Sequence, residues 1–139
     1  MGLIFHWGLG LHYALLGRFT DAEREATWLA EHAAELPYTA QLRALVAAVA
    51  GRRDEALELL SHVDELALDG HHTGHLAESY AMAGEHGRAV ALVDRAVTLG
   101  FYPYDYYARL SPFYEPLRGR EDFARVLDRA AQRVAEFQP

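Results

Sequence analysis

The 139-residue chain has no cysteine, no lysine and no asparagine. Without cysteine it forms no disulfide, no thiolate metal site and no thiol nucleophile. Without lysine it lacks a Schiff-base amine and a phosphate loop of the Walker or kinase type. All 13 basic residues are arginines, set against 20 acids, so the formal charge is −7. That sign argues against nucleic acid, which requires a basic footprint, and against an anionic membrane surface. Serine is scarce (Ser61, Ser79 and Ser111), and none lies in a Gly-x-Ser-x-Gly turn. No apolar run approaches the roughly 18 residues of a membrane span. The opening MGLIFHW lacks the basic start and small-residue cleavage site of a secretion signal. The expected location is the cytoplasm.

The composition present is that of a globular chain. An apolar fraction of 51% beside 24% charged residues provides for a core and excludes wholesale disorder. The most specific signal is internal periodicity. A glycine followed five residues later by alanine recurs as Gly17/Ala22, Gly51/Ala56, Gly84/Ala89 and Gly119/Ala124, the glycines 34, 33 and 35 residues apart. The surrounding text repeats with them: LLGRFTDA, AVAGRRDEA, AMAGEHGRA and PLRGREDFA. Each glycine follows an Ala/Leu-rich stretch, where a chain leaving a helix often takes positive φ. Acids after it (Asp21, Asp54, Glu55, Glu121, Asp122) suit the start of a next helix. The alanine is small where two antiparallel helices would cross.

Apolar spacing predicts about eight helices, near 3–16, 19–35, 38–50, 53–66, 72–83, 86–99, 104–117 and 121–137. The seventh contains Pro112 and Pro116 and follows Pro103, all of which interrupt helices. In the last, Phe123, Val126, Leu127, Ala130, Val134 and Phe137 make one stripe. The expected architecture is all-α, a single domain over 1–139. Its hairpins run near 3–35, 38–66 and 71–99, with a divergent closing pair at 104–137. Hairpins of this size bury their apolar faces by stacking on neighbours.

These residues resemble the tetratricopeptide repeat (TPR) family. In the third unit Leu76, Ala77, Tyr80, Gly84, Ala89 and Ala96 stand where that family has its signature residues. The first unit matches with Leu9, Gly10, Tyr13, Gly17, Phe19 and Ala22. The second keeps Ala44, Gly51 and Ala56, and the fourth only Gly119 and Ala124. The stretch GFYPYDYYARLSPFYEPLRGREDF is similar to the closing segment of repeat tails in bacterial multidomain regulators of the serine/threonine kinase, cyclase or winged-helix type. The resemblance implies a right-handed α-solenoid whose first helices line a concave groove that holds a peptide or partner helix. Mapped by the glycine register, the groove positions are Ile4, Trp7, Leu11, Tyr38, Gln41, Leu45, His71, Glu78 and Met82.

Other clusters are weighed against that groove. Asp69-Gly70-His71-His72-Thr73-Gly74-His75 brings His71, His72 and His75 to helical spacings at which imidazoles share a metal ion. A polar connection whose histidines cap and pack is the plainer reading. Protonating all eight histidines would move the charge from −7 to about +1. The aromatics Phe101, Tyr102, Tyr104, Tyr106, Tyr107, Phe113 and Tyr114 lack the basic residues of a nucleic-acid stacking platform and read as core. Glu23/Glu25, Asp54/Glu55 and Asp64/Glu65 read as solvated surface.

The expected function is a non-catalytic protein–protein interaction scaffold, with no cofactor, no catalytic residue, and a protein or peptide as partner. Trp7 and Tyr38 are its expected anchors, removable without unfolding the chain. The alternative is self-association as a homodimer, because the opening helix GLIFHW is apolar and uncapped. A metal- or pH-sensing role for His71, His72 and His75 is more remote.

Overall fold

The computed structural model describes residues 2–137, and every regular element among them is helical. Contacts divide the chain into two compact units, Met1–Asp64 and Glu65–Pro139.

The first unit holds α1 (Leu3–Leu15), α2 (Phe19–His32), α3 (Pro37–Val49) and α4 (Arg53–Ser61). Pairs α1/α2 and α3/α4 form hairpins, and α3 packs also on α2 and α1. Both hairpin turns are built alike. After α1, Gly17 takes φ 75°, its N–H donates to the Ala14 carbonyl at 3.0 Å, and the Arg18 N–H donates to Tyr13 at 2.8 Å. After α3, Gly51 takes φ 84°, and the bonds are Gly51 N–H to Ala48 and Arg52 N–H to Ala47. This is the helix ending in which one left-handed residue returns two amides to the last carbonyls. The next helix then opens on an arginine whose side chain holds the first-turn acid, Arg18 on Asp21 and Arg52 on Glu55, both at 2.8 Å. Ala22 and Ala56 are fully buried, as expected for the crossing points. Nothing lies near a Cβ placed on Gly51, so Gly51→Ala meets only the conformational penalty of positive φ. Urea unfolding is expected to show a loss of about 1 kcal/mol for that variant.

The second unit contains a short 3₁₀ turn (Glu65–Ala67), α5 (Gly70–Met82), α6 (His86–Thr98) and α7 (Glu121–Glu136). The α5/α6 turn repeats the device at Gly84 (φ 86°), with Glu85 N–H on the Tyr80 carbonyl. Gly100 (φ 102°) does the same after α6, outside the 33–35-residue register. Helix α5 is the interior element: every residue from Thr73 to Ala81 is buried, against α6 and the Pro112–Leu117 turn. Gly70 and Gly74 leave one face bare for Phe101 and Tyr107. A Cβ on Gly74 would stand 2.7 Å from the Phe101 ring.

In the closing pair the prolines break 104–117 into short turns, and one expectation, a buried Ala124, is corrected. No continuous helix spans 104–117; a π-turn (Tyr106–Leu110) and a 3₁₀ turn (Pro112–Leu117) replace it. The residue before a proline is pushed from helical to extended backbone, and Ser111 has ψ 123°. Ala124 is exposed, and Phe123 beside it is the residue that enters the core. Helix α7 packs on α6, where Arg129 pairs with Asp94 and donates to Thr98 Oγ1.

Candidate functional site

The nine groove positions divide by burial. In the first unit only Ile4 is well exposed, at 53%. Trp7, Leu11, Gln41 and Leu45 are buried, and Tyr38 is half-buried. Trp7 Nε1 donates to Gln41 Oε1 at 2.7 Å, tying α1 to α3, and its ring meets Tyr38 edge-on at 6.2 Å. A tryptophan with 4% of its surface accessible is packed in the core and is not presented as an open anchor. Helix α3 touches α1, α2 and α4, so few of its positions reach solvent.

In the second unit His71 is exposed, Met82 half-buried and Glu78 wholly buried. Glu78 is the centre of a polar cluster. Its carboxylate accepts from His75 Nδ1, from the Ser111 hydroxyl, and from the Tyr106 hydroxyl at 2.9 Å to Oε2 and 3.2 Å to Oε1. Buried acids survive only when their lone pairs are satisfied, and here three side chains do so. Each member is set by local chemistry. Asp69 caps α5, accepting the His72 amide at 2.8 Å, which starts the helix at Gly70 and places His75 and Glu78 one turn apart. Ser111 is extended by Pro112, and its Oγ accepts the Phe113 amide at 3.2 Å. Arg118 holds this segment through the carbonyls of Tyr107 (3.1 Å) and Ser111 (2.6 Å). Tyr114 donates to the Gly74 carbonyl at 2.7 Å and Tyr107 to Phe101 at 2.8 Å.

Burial, reinforced by the charge of Glu78, raises the Tyr106, Tyr107 and Tyr114 phenols far above their ordinary range. They serve as neutral donors. His71 is shifted the other way. Partial burial, then repulsion from His75 and His72, lowers its pKa despite the opposing pull of Asp69 and Glu78.

Of the aromatic stretch read as core, Tyr107, Phe113 and Tyr114 are buried, Phe101, Tyr102 and Tyr106 are half-buried, and Tyr104 is exposed. Of the sequence candidates, the structure joins His71, His75 and Glu78, and links Trp7, Tyr38 and Gln41. His72 turns back to Asp69, its Nδ1 at 2.9 Å from the carboxylate. Tyr106 and Ser111 are members of the cluster that sequence reasoning did not assign. The available signal was Glu78 itself, an acid inside LAESYAMA where every neighbour is apolar or small. Among the described residues, no group of three or more His, Asp or Glu side chains converges to hold a metal ion. An open depression of about 650 Å³ beside α7 is rimmed by Arg109, Arg118 and Arg120, each already paired, with Asp105, Glu115 and Asp122 respectively.

No family model, curated protein or solved structure matches this chain.

Proposed function

We propose that the chain is a non-catalytic protein–protein interaction scaffold of tetratricopeptide type. Its hairpins stack as a right-handed solenoid that takes a peptide or partner helix along the first helices, and it acts in the cytoplasm as the tail of a bacterial signalling protein. The observation carrying this reading is the repeated hairpin closure. Gly17, Gly51 and Gly84, at 34- and 33-residue spacing, all adopt positive φ and are followed by a buried alanine. Repetition of one turn geometry is what a stack of equivalent binding units requires. Absence of catalysis is proposed because Glu78, the one carboxylate side chain buried among the described residues, has its acceptor positions taken by three structural donors. None of the described helices is long and apolar enough to cross a membrane.

The surface offered to a partner is narrower than the nine groove positions. In the first unit Ile4 is exposed and Tyr38 half-buried, in the second His71 is exposed and Met82 half-buried, and the remaining positions, Trp7, Leu11, Gln41, Leu45 and Glu78, are buried. The test is capture of partners from lysate of the source organism by the wild type and by an Ile4→Asp/Tyr38→Ala variant. A retained protein lost by the variant, with the variant's helical signal and melting unchanged, is the expected result. Equal retention by a folded variant removes the groove.

A second reading rests on α1, where Ile4 (53%) and Phe5 (44%) are exposed and no side chain caps the first turn. An apolar face of this kind is what self-association would cover. Sedimentation velocity across a hundredfold dilution then shows a dimer that Phe5→Asp converts to a monomer. A monomer at every wild-type concentration ends that reading.

A further inference from the structure

His71 is also one of the exposed groove positions, and its pairing with His75 has a specific arrangement. The two residues are one helical turn apart on α5, and their Nε2 atoms approach to 3.1 Å. His75 is 4% exposed and fixed; its other nitrogen, Nδ1, donates to the Glu78 carboxylate. Glu78 also receives hydroxyls from Tyr106 and Ser111, and as a carboxylate it accepts from the ring. The neutral His75 ring therefore carries its proton on Nδ1, and the Nε2 lone pair faces His71. This is the carboxylate–histidine arrangement that orients metal-ligating imidazoles and raises their basicity.

We propose that His71 Nε2 and His75 Nε2 form a two-histidine site for a late first-row divalent cation such as Zn²⁺ or Ni²⁺, with water completing the coordination. The separation fits. Two nitrogens each about 2.05 Å from one ion stand about 2.9 Å apart at a right angle and about 3.3 Å apart at the tetrahedral angle. The observed 3.1 Å lies between those limits. His71 is exposed, so its ring adjusts to the ion while His75 stays in place. Imidazole selects zinc, nickel and copper over magnesium and calcium, which prefer oxygen. With two protein ligands the ion is exchangeable, and it staples the first two turns of α5.

The experiment is calorimetric titration of the tag-free chain with ZnCl₂ and with NiCl₂, each beside His71→Ala and His72→Ala. One saturable equivalent is expected for the wild type and for His72→Ala, with at least a tenfold loss in His71→Ala and no response to MgCl₂. Zn²⁺ should also move the ¹⁵Nε2 resonances of His71 and His75 while leaving the His75 Nδ1–H in place. Should His71→Ala lower the metal-free melting temperature, His71→Gln carries the same comparison. Absence of saturable uptake by the wild type overturns the proposal. So does binding of equal affinity in His71→Ala, which would place the ion on other histidines.

Discussion

Trp7→Ala is expected to destabilise the first unit by about 3–5 kcal/mol, the range for removing a large aromatic from a packed core. The ring is 4% exposed, and its loss also deletes the Nε1 donor that Gln41 accepts at 2.7 Å. Both consequences fall on the α1/α3 contact, since α1 has few other partners besides α2. The readout is the urea midpoint followed by far-ultraviolet circular dichroism. A marked shift shows that Trp7 holds the unit together, and an unchanged midpoint shows that it does not. Tyr38→Ala, at a half-buried position on the first turn of α3, is expected to cost well under half as much.

Glu78→Ala is the corresponding prediction for the second unit, with an expected loss of about 3 kcal/mol or more. Removing one member of a buried polar cluster costs more than the cluster contributes, because its partners remain buried. Here the hydroxyls of Tyr106 and Ser111 and the Nδ1–H of His75 would face the volume the carboxylate filled. These donors come from separate parts of the chain: His75 lies three residues earlier, Tyr106 28 later and Ser111 33 later. The loss should therefore loosen the 106–117 segment from α5. Glu78→Gln, which preserves shape and one acceptor, is expected to fall between wild type and Glu78→Ala. Thermal unfolding of the three proteins gives the ranking, and a Glu78→Ala midpoint equal to wild type would mean that the cluster adds nothing.

How far the molecule could be read from its sequence depended on whether the deciding interaction was local. The glycine turns were legible because the need for positive φ and the two returning amides lie within six residues, as at Tyr13–Arg18. Buried Ala22, Ala56 and Ala89 followed from the same register. Prolines marked the interruption of 104–117, although a π-turn followed by a 3₁₀ turn was not specified by them. The groove was legible only as a register. Trp7 and Leu45 are apolar residues on first helices, and such residues can face either a ligand or the next helix. Periodicity cannot separate the two when α3 is packed on three sides. Glu78 failed for a different reason. Acids are so seldom buried that a sequence reading places them at the surface. Its satisfying hydroxyls lie more than 25 residues away, on a segment with no periodicity of its own.

The most direct test of the scaffold account sets a supporting position against a surface position. Partner retention is measured for Trp7→Phe, which keeps an aromatic ring in the α1/α3 core, and for Ile4→Asp, which changes only exposed surface on α1. The account predicts that Trp7→Phe stays folded and retains the partner, while Ile4→Asp stays folded and loses it. Loss of the partner by a fully folded Trp7→Phe, with retention by Ile4→Asp, would contradict it and place the indole itself in the interface.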